Sequence, residues 1–216
     1  MFRLSPLRPN RRWSCERDND VWSPSALVAA LAFTLRVAAL HAAPGKELDT
    51  PRLAVVVNDY AGAEPAVLEL AKSHVILIYR GAGGAVDWVD REDPRLDDQA
   101  FLKSIVTVSL YSEEMDDRSD VRDAVVAKAP PGGRTVKVLY HRLEEIWSGR
   151  TPEAAFLLGN VIAHEIGHLV LPGGAHARYG LMAPEMSIPI ATSRPLFFTP
   201  AERKLLRSAL TSAADD

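Results

Sequence analysis

The sequence predicts an α/β fold in one domain that begins near Thr50. Three observations predict it: a strand, helix and strand pattern across residues 53–89, further β-branched runs before residue 140, and a long apolar segment after Thr151. At 216 residues, with 47% hydrophobic and 25% charged residues, the chain has the composition of one globular domain with a substantial core.

The first unit is predicted as strand 53–58, helix 65–80 and strand 85–89. Pro65 suits the first turn of a helix, and the glycine-rich residues 81–84 suit its end. Two strands joined by a helix of this length require a crossover connection, which is right-handed in nearly all proteins. We therefore expect the two strands to be parallel.

The middle of the chain alternates charged or turn-forming stretches with β-branched runs. The acidic stretch at 113–120 lacks the glycine-punctuated spacing of a calcium loop, so we predict a plain loop there, and a solvated loop at 90–98. The remaining elements predicted here are strands at 105–111, 123–128 (weak) and 134–140, a turn at 130–133 and a helical turn at 141–147.

A long helix is predicted from Thr151, with the Thr151 hydroxyl as N-cap and Pro152 in the first turn. Its residues are apolar on nearly all sides, which predicts deep burial. The chain then turns at residues 172–174. A closing helix follows, with a capping box at 198–202 and Leu205, Leu206 and Leu210 on its inner face.

The long helix carries the sequence His164-Glu165-Ile-Gly-His168. Residues four apart share one helix face, so both imidazoles can reach one tetrahedral Zn²⁺ while Glu165 serves as general base. The turn allows His176 to return to the same point, which gives three neutral imidazoles and one open position. Polar groups in so apolar a helix are costly unless something satisfies them, and a metal does. This pattern predicts a zinc hydrolase.

These residues, followed by Gly180-Leu181-Met182, resemble the metzincin clan of zinc peptidases, nearest its matrixin-like members. The resemblance implies that His164, His168 and His176 bind one Zn²⁺ ion and that Glu165 is the catalytic base. It also implies that Gly180 and Met182 form the turn beneath the metal, and that the sheet is a twisted, mixed one of about five strands. The closing helix completes that domain.

The spacing departs from the clan in one place. Leu171 and Gly174 stand where the usual pattern has its glycine and its third histidine, and His176 comes two residues later. Glu185 is therefore an alternative third ligand, although the prolines around it disfavour the later helix that such a ligand requires. We interpret His74 and His141 as structural. No tyrosine closely follows Met182, so a tyrosine ligand is not expected.

Residues 1–43 have a basic start, an apolar middle and small residues at the end, which together predict a secretory signal and an exported protein. An amphipathic helix packed on the domain is the alternative. Arg36 interrupts the apolar run, so no membrane span is expected. Cys15 is the chain's one cysteine, which excludes an intrachain disulfide, a thiolate zinc site and a cysteine-based latency motif.

The functional prediction is zinc-dependent hydrolysis of peptide bonds in a protein or peptide substrate that lies extended along the edge of the sheet. The alternative is a non-catalytic zinc- or partner-binding protein on the same scaffold. A net charge of −3 gives no electrostatic case for binding nucleic acid.

Overall fold

The computed structural model describes residues 3–5, 50–116, 126–130, 133–147, 149–174 and 176–212. The predicted signal segment 1–43 lies outside the described residues, apart from residues 3–5. The described elements are β1 (Arg3–Ser5), β2 (Arg52–Asp59), α1 (Pro65–Gly81), β3 (Ala85–Val89), a 3-10 turn (Pro94–Asp97), α2 (Gln99–Ser104), β4 (Val106–Tyr111), α3 (Glu113–Asp116), β5 (Ala127–Lys128), β6 (Thr135–Leu139), α4 (Tyr140–Glu144), α5 (Thr151–Val170), a 3-10 turn (Pro172–Gly174), β7 (Glu185–Ser187), α6 (Ile188–Ala191) and α7 (Pro200–Ser212).

The main sheet has five strands in the order β3-β2-β4-β6-β5. The first four are parallel, and β5 pairs antiparallel with β6 at one edge. The predicted parallel unit β2-α1-β3 is confirmed, as is the mixed sheet of five strands. A separate two-stranded sheet pairs β1 with β7 in parallel.

Helices α1 and α5 pack closely against each other and share the core with the sheet. Gly159 permits the close contact, because a Cβ atom there would lie 3.1 Å from the carbonyl oxygen of Ala71 and 3.0 Å from the Cβ of His74. Residues 154–167 of α5 are all buried, as the apolar sequence predicted. The helix that carries the histidines is therefore a central element of the core.

The start of α5 differs from the prediction. The N-cap is Arg150, in an extended conformation, and Thr151 is already helical without a capping hydrogen bond from a side chain. The Arg150 guanidinium instead binds the carboxylate of Glu153 in the first turn. Because the backbone leaves the extended conformation one residue early, the predicted role of the Thr151 hydroxyl is wrong, and only the place of Pro152 is confirmed.

The predicted capping box of α7 is confirmed. The backbone N–H of Thr199 donates to the Glu202 carboxylate over 2.6 Å, and the N–H of Glu202 donates to the Thr199 hydroxyl over 3.3 Å. One of the three predicted inner-face leucines is wrong: Leu205 is 48% exposed. A single helix packed at the rim of the domain buries only a narrow stripe, and that stripe contains Leu206 and Leu210.

The two predicted loops contain short helices. Within 90–98, the Asp93 carboxylate accepts from the N–H of Arg95 and initiates the 3-10 turn, while Asp98 caps α2. The described part of the acidic loop forms α3, and residues 117–120 lie outside the described residues. Aspartate side chains that bind nearby backbone N–H groups create such turns, and charge content alone does not reveal them. No described helix combines the length and the apolar character that crossing a membrane requires.

Candidate metal centre

The structure brings His164, His168 and His176 together. Their ring centroids lie 4.7 Å apart for His164 and His168, 4.7 Å for His168 and His176, and 5.4 Å for His164 and His176. One nitrogen atom from each ring lies within 4.8 Å of the others. His164 is fully buried, His168 is half-buried and His176 is exposed, so the cluster opens from the core toward solvent.

The ring of His164 is held in one orientation. Its Nδ1–H donates to the carbonyl oxygen of Leu181 over 2.7 Å, so in the neutral ring Nε2 carries the lone pair. That Nε2 lies 3.0 Å from Nε2 of His168. Burial lowers the pKa of His164 to about 3, so the imidazole is neutral at physiological pH. A neutral imidazole whose other nitrogen binds a carbonyl is the form in which histidine binds metals.

His176 reaches the cluster in spite of the lengthened turn. Gly173 has a φ of 75°, a left-handed conformation that glycine adopts without strain, and it reverses the chain after α5. The N–H of Ala177 then donates to the carbonyl oxygen of Met182 over 2.8 Å, which closes the loop that follows His176. The two extra residues are accommodated in the turn, and the histidine is not displaced from the pair.

Glu165 is completely buried beside the histidines. Neither of its carboxylate oxygens has a hydrogen-bond partner among the described residues. Burial raises the pKa of Glu165 to about 7, and the nearby backbone of Ala129 opposes that rise. An unpartnered buried carboxyl group is costly, and such groups usually mark a functional site.

Met182 and Gly180 lie beneath the histidine pair. Met182 is fully buried, and a Cβ atom added to Gly167 would come within 2.5 Å of its sulfur atom, so this sulfur packs directly on the helix between Glu165 and His168. Gly180 has a φ of 85°, and a Cβ atom there would lie 3.0 Å from the carbonyl oxygen of Phe197. Both residues therefore fix the turn that carries Leu181 to His164.

We expect Gly167→Ala to destabilise the fold by about 1–3 kcal/mol, because the new methyl group overlaps the Met182 sulfur. The gain in helix propensity, at most about 1 kcal/mol, offsets only part of this cost. Denaturant unfolding of the zinc-free protein measures the change. Combining the substitution with Met182→Ala should cost less than the sum of the two single changes, and a strictly additive result would contradict the proposed overlap.

The three histidines fit a zinc ion. Nitrogen atoms that share one tetrahedral Zn²⁺ lie about 3.3 Å apart, close to the 3.0 Å between the two Nε2 atoms. Two imidazole nitrogens at this separation without an ion can share only one proton, which makes the pair a ready acceptor for a cation. The unpartnered Glu165 carboxyl group adds negative charge beside them. The donor set and the geometry both suit a zinc ion with an open coordination position.

The alternative ligand and the two structural histidines lie elsewhere. Glu185 is exposed in β7 and does not belong to the metal-ligating group found among the described residues. The ring of His74 stacks on Phe156 at 4.3 Å, and its Nδ1 lies 3.3 Å from the carbonyl oxygen of Ala155. His141 contacts the buried carboxylate of Asp116 at 3.1 Å, next to Arg142. Both contacts are structural.

Two supporting residues were not predicted from the sequence. Asn160 is fully buried one turn before His164, and its side chain donates to the carbonyl oxygens of Ala191 and Arg194 and accepts from the N–H of Leu196. The Tyr79 hydroxyl on α1 donates to the carbonyl oxygen of Ala163 over 3.2 Å. The sequence does contain a signal for the first of them, since a lone asparagine in an apolar helix needs buried partners.

No protein-family model matches the sequence, and no curated protein does. By structure, the chain is similar to archaemetzincin from Methanopyrus kandleri, with a TM-score of 0.52 and 15% sequence identity. The similarity covers 76% of this chain and 98% of the archaemetzincin chain. The fold is therefore metzincin-like, with a mixed five-stranded sheet and three clustered histidines.

Proposed function

We propose that this protein is a zinc-dependent peptidase in which His164, His168 and His176 bind one Zn²⁺ ion and Glu165 is the general base. The observation that carries the proposal is the unpartnered, buried carboxyl group of Glu165 beside three converging imidazoles. When bound, zinc acts as a Lewis acid that polarises the scissile carbonyl group and activates water. A plain structural zinc site would need no unsatisfied carboxyl group at this position.

Glu165 is suited to moving a proton in both directions. A general base works best when its pKa is near the operating pH, and burial places the pKa of this carboxyl group at about 7. It accepts a proton from the attacking water and then donates it to the leaving amine. The absence of a hydrogen-bond partner among the described residues leaves both carboxylate oxygens available for this task.

The substrate is proposed to be a protein or peptide bound in an extended conformation. The antiparallel edge strand β5 packs on α5, and the adjacent residue Ala129 has its backbone near Glu165. An edge strand offers unpaired backbone N–H and C=O groups to a peptide by strand addition. A peptide added to β5 would therefore run past the proposed catalytic base.

Three finer assignments belong to the same proposal. We assign residues 50–216 to one catalytic domain and residues 1–43 to an export signal, which would make the peptidase periplasmic or secreted. The placement among matrixin-like metzincins rests on the histidine, glycine and methionine motif alone. Oligomeric state is not part of the proposal.

Zinc removal tests the proposed function. We expect the purified full chain to contain about one zinc equivalent and to cleave an unfolded protein substrate, because three imidazoles form a catalytic zinc site. Dialysis against a chelator should abolish cleavage, and one equivalent of Zn²⁺ should restore it. Mg²⁺ is the control, since imidazole ligands do not suit it. Zinc retained without cleavage of any substrate would support the non-catalytic binder instead.

A further inference from the structure

Strand β7 has a peptide segment paired along its edge, and that segment is the chain's own amino-terminal strand β1. Arg3 pairs with Glu185, Leu4 with Met186 and Ser5 with Ser187, all in parallel. The two strands form a sheet of their own, separate from the main five-stranded sheet. The edge of β7 therefore accepts an extended peptide by backbone pairing.

This edge is close to the candidate metal centre. The carbonyl oxygen of Leu181 lies 2.7 Å from Nδ1 of His164, and β7 begins four residues later at Glu185. Four extended residues span at most about 14 Å, and paired strands lie about 4.8 Å apart. Residues 3–5 thus lie within the length of a short peptide from the histidine cluster.

The parallel register fixes the direction of the paired segment. Strand β7 leads away from Met182 as the residue number rises, so the end of β1 at Arg3 is the end nearer the metal centre. A substrate paired in this register would place its amino end toward the metal and its following residues along β7. That is the direction of the peptide portion that carries the leaving amine.

The same strand lines a pocket suited to peptide side chains. This pocket has a volume of about 540 Å³, and Met186 of β7 lies in its wall. Three large apolar side chains line the pocket and remain 43–68% exposed, namely Tyr179, Ile190 and Phe197. Exposed apolar residues grouped around a paired strand edge are typical of a peptide-docking surface, where backbone pairing gives affinity and the pocket gives selectivity.

We propose that β7 is the docking edge for the leaving-group side of an extended peptide substrate, and that residues 3–5 of the same chain occupy it as an intramolecular competitor. The inference rests on the proposed peptidase function. A tethered segment has an effective concentration of the order of millimolar, so even weak strand pairing competes with a substrate in solution. Removal of the predicted signal segment would free the edge, which couples peptide access to processing.

The test uses the zinc-loaded full chain and its Leu4→Pro variant. Proline removes a backbone N–H and fixes φ, so it disrupts the pairing of Leu4 with Met186. We expect the amide protons of residues 185–187 to exchange about tenfold faster in the variant, and the KM for a peptide substrate to fall about tenfold with kcat unchanged. The matched control is Leu7→Pro, which lies two residues beyond the paired strand and should change neither quantity.

A synthetic peptide with the sequence of residues 1–7 provides a second arm. Added to the Leu4→Pro protein, it should bind in a fluorescence anisotropy titration, restore exchange protection at residues 185–187 and inhibit cleavage competitively. Unchanged exchange in the variant, or a peptide that does not bind, would overturn the inference even if cleavage is observed. If no protein cleaves peptide, the proposed function fails, and the exchange and anisotropy measurements still decide whether β7 is a docking edge.

Discussion

Glu165→Gln should lower kcat for peptide cleavage by about 10²–10⁴-fold, because the amide cannot accept the proton of the attacking water. Glutamine has nearly the same size as glutamate, so the packing of α5 is preserved. The three histidines are untouched, and zinc content should stay near one equivalent. Loss of activity with retained metal is the signature of a general base rather than of a ligand.

The matched control is Glu145→Gln, an exposed glutamate that follows α4 in the structure. This substitution makes the same change in charge and should leave both kcat and zinc content at the wild-type value. Steady-state kinetics with metal analysis of the same samples measure both effects. Cleavage by Glu165→Gln within a few-fold of wild type would exclude Glu165 as the base.

His176→Ala should reduce zinc affinity by orders of magnitude and abolish peptidase activity. Only His164 and His168 would remain in the cluster, and two protein ligands do not make the three-ligand site of catalytic zinc. The fold should persist, because His176 is exposed and contributes little to the core. Competition with a chromogenic zinc chelator measures the affinity, and thermal unfolding without zinc measures the fold.

His74→Ala is the control, since its ring stacks on Phe156 outside the cluster. It should lose some stability and keep its zinc. Glu185→Gln tests the competing ligand assignment in the same assay. Should Glu185→Gln lose zinc while His176→Ala keeps it, the lengthened turn would not deliver the third ligand, and the ligand set proposed above would be wrong.

Local patterns were sufficient to predict the main elements. The β2-α1-β3 unit, the buried helix α5 and the capping box at Thr199 each depend on short-range periodicity or on a side chain's reach to nearby backbone. The histidine pair on α5 follows from the helix repeat alone. These features needed no knowledge of distant parts of the chain.

Features that depend on distant contacts could not be predicted in the same way. Whether His176 returns to the pair depends on the left-handed dihedral of Gly173 and on the bond between Ala177 and Met182, which spacing rules do not describe. The exposure of Leu205 depends on how α7 sits at the rim of the core. The pairing of β1 with β7 joins segments about 180 residues apart, where sequence patterns carry little information.

The side chain of Asn160 joins the helix of the histidines to the chain between Ala191 and Leu196, and the N–H of Leu181 continues the connection by donating to the carbonyl oxygen of Phe197. The segment that orients His164 is thus anchored on residues that touch no candidate ligand. By thermodynamic linkage, a protein that binds zinc here would transmit any loosening of residues 191–197 to its metal affinity. Zinc affinity would then report on the integrity of the carboxyl-terminal part of the domain.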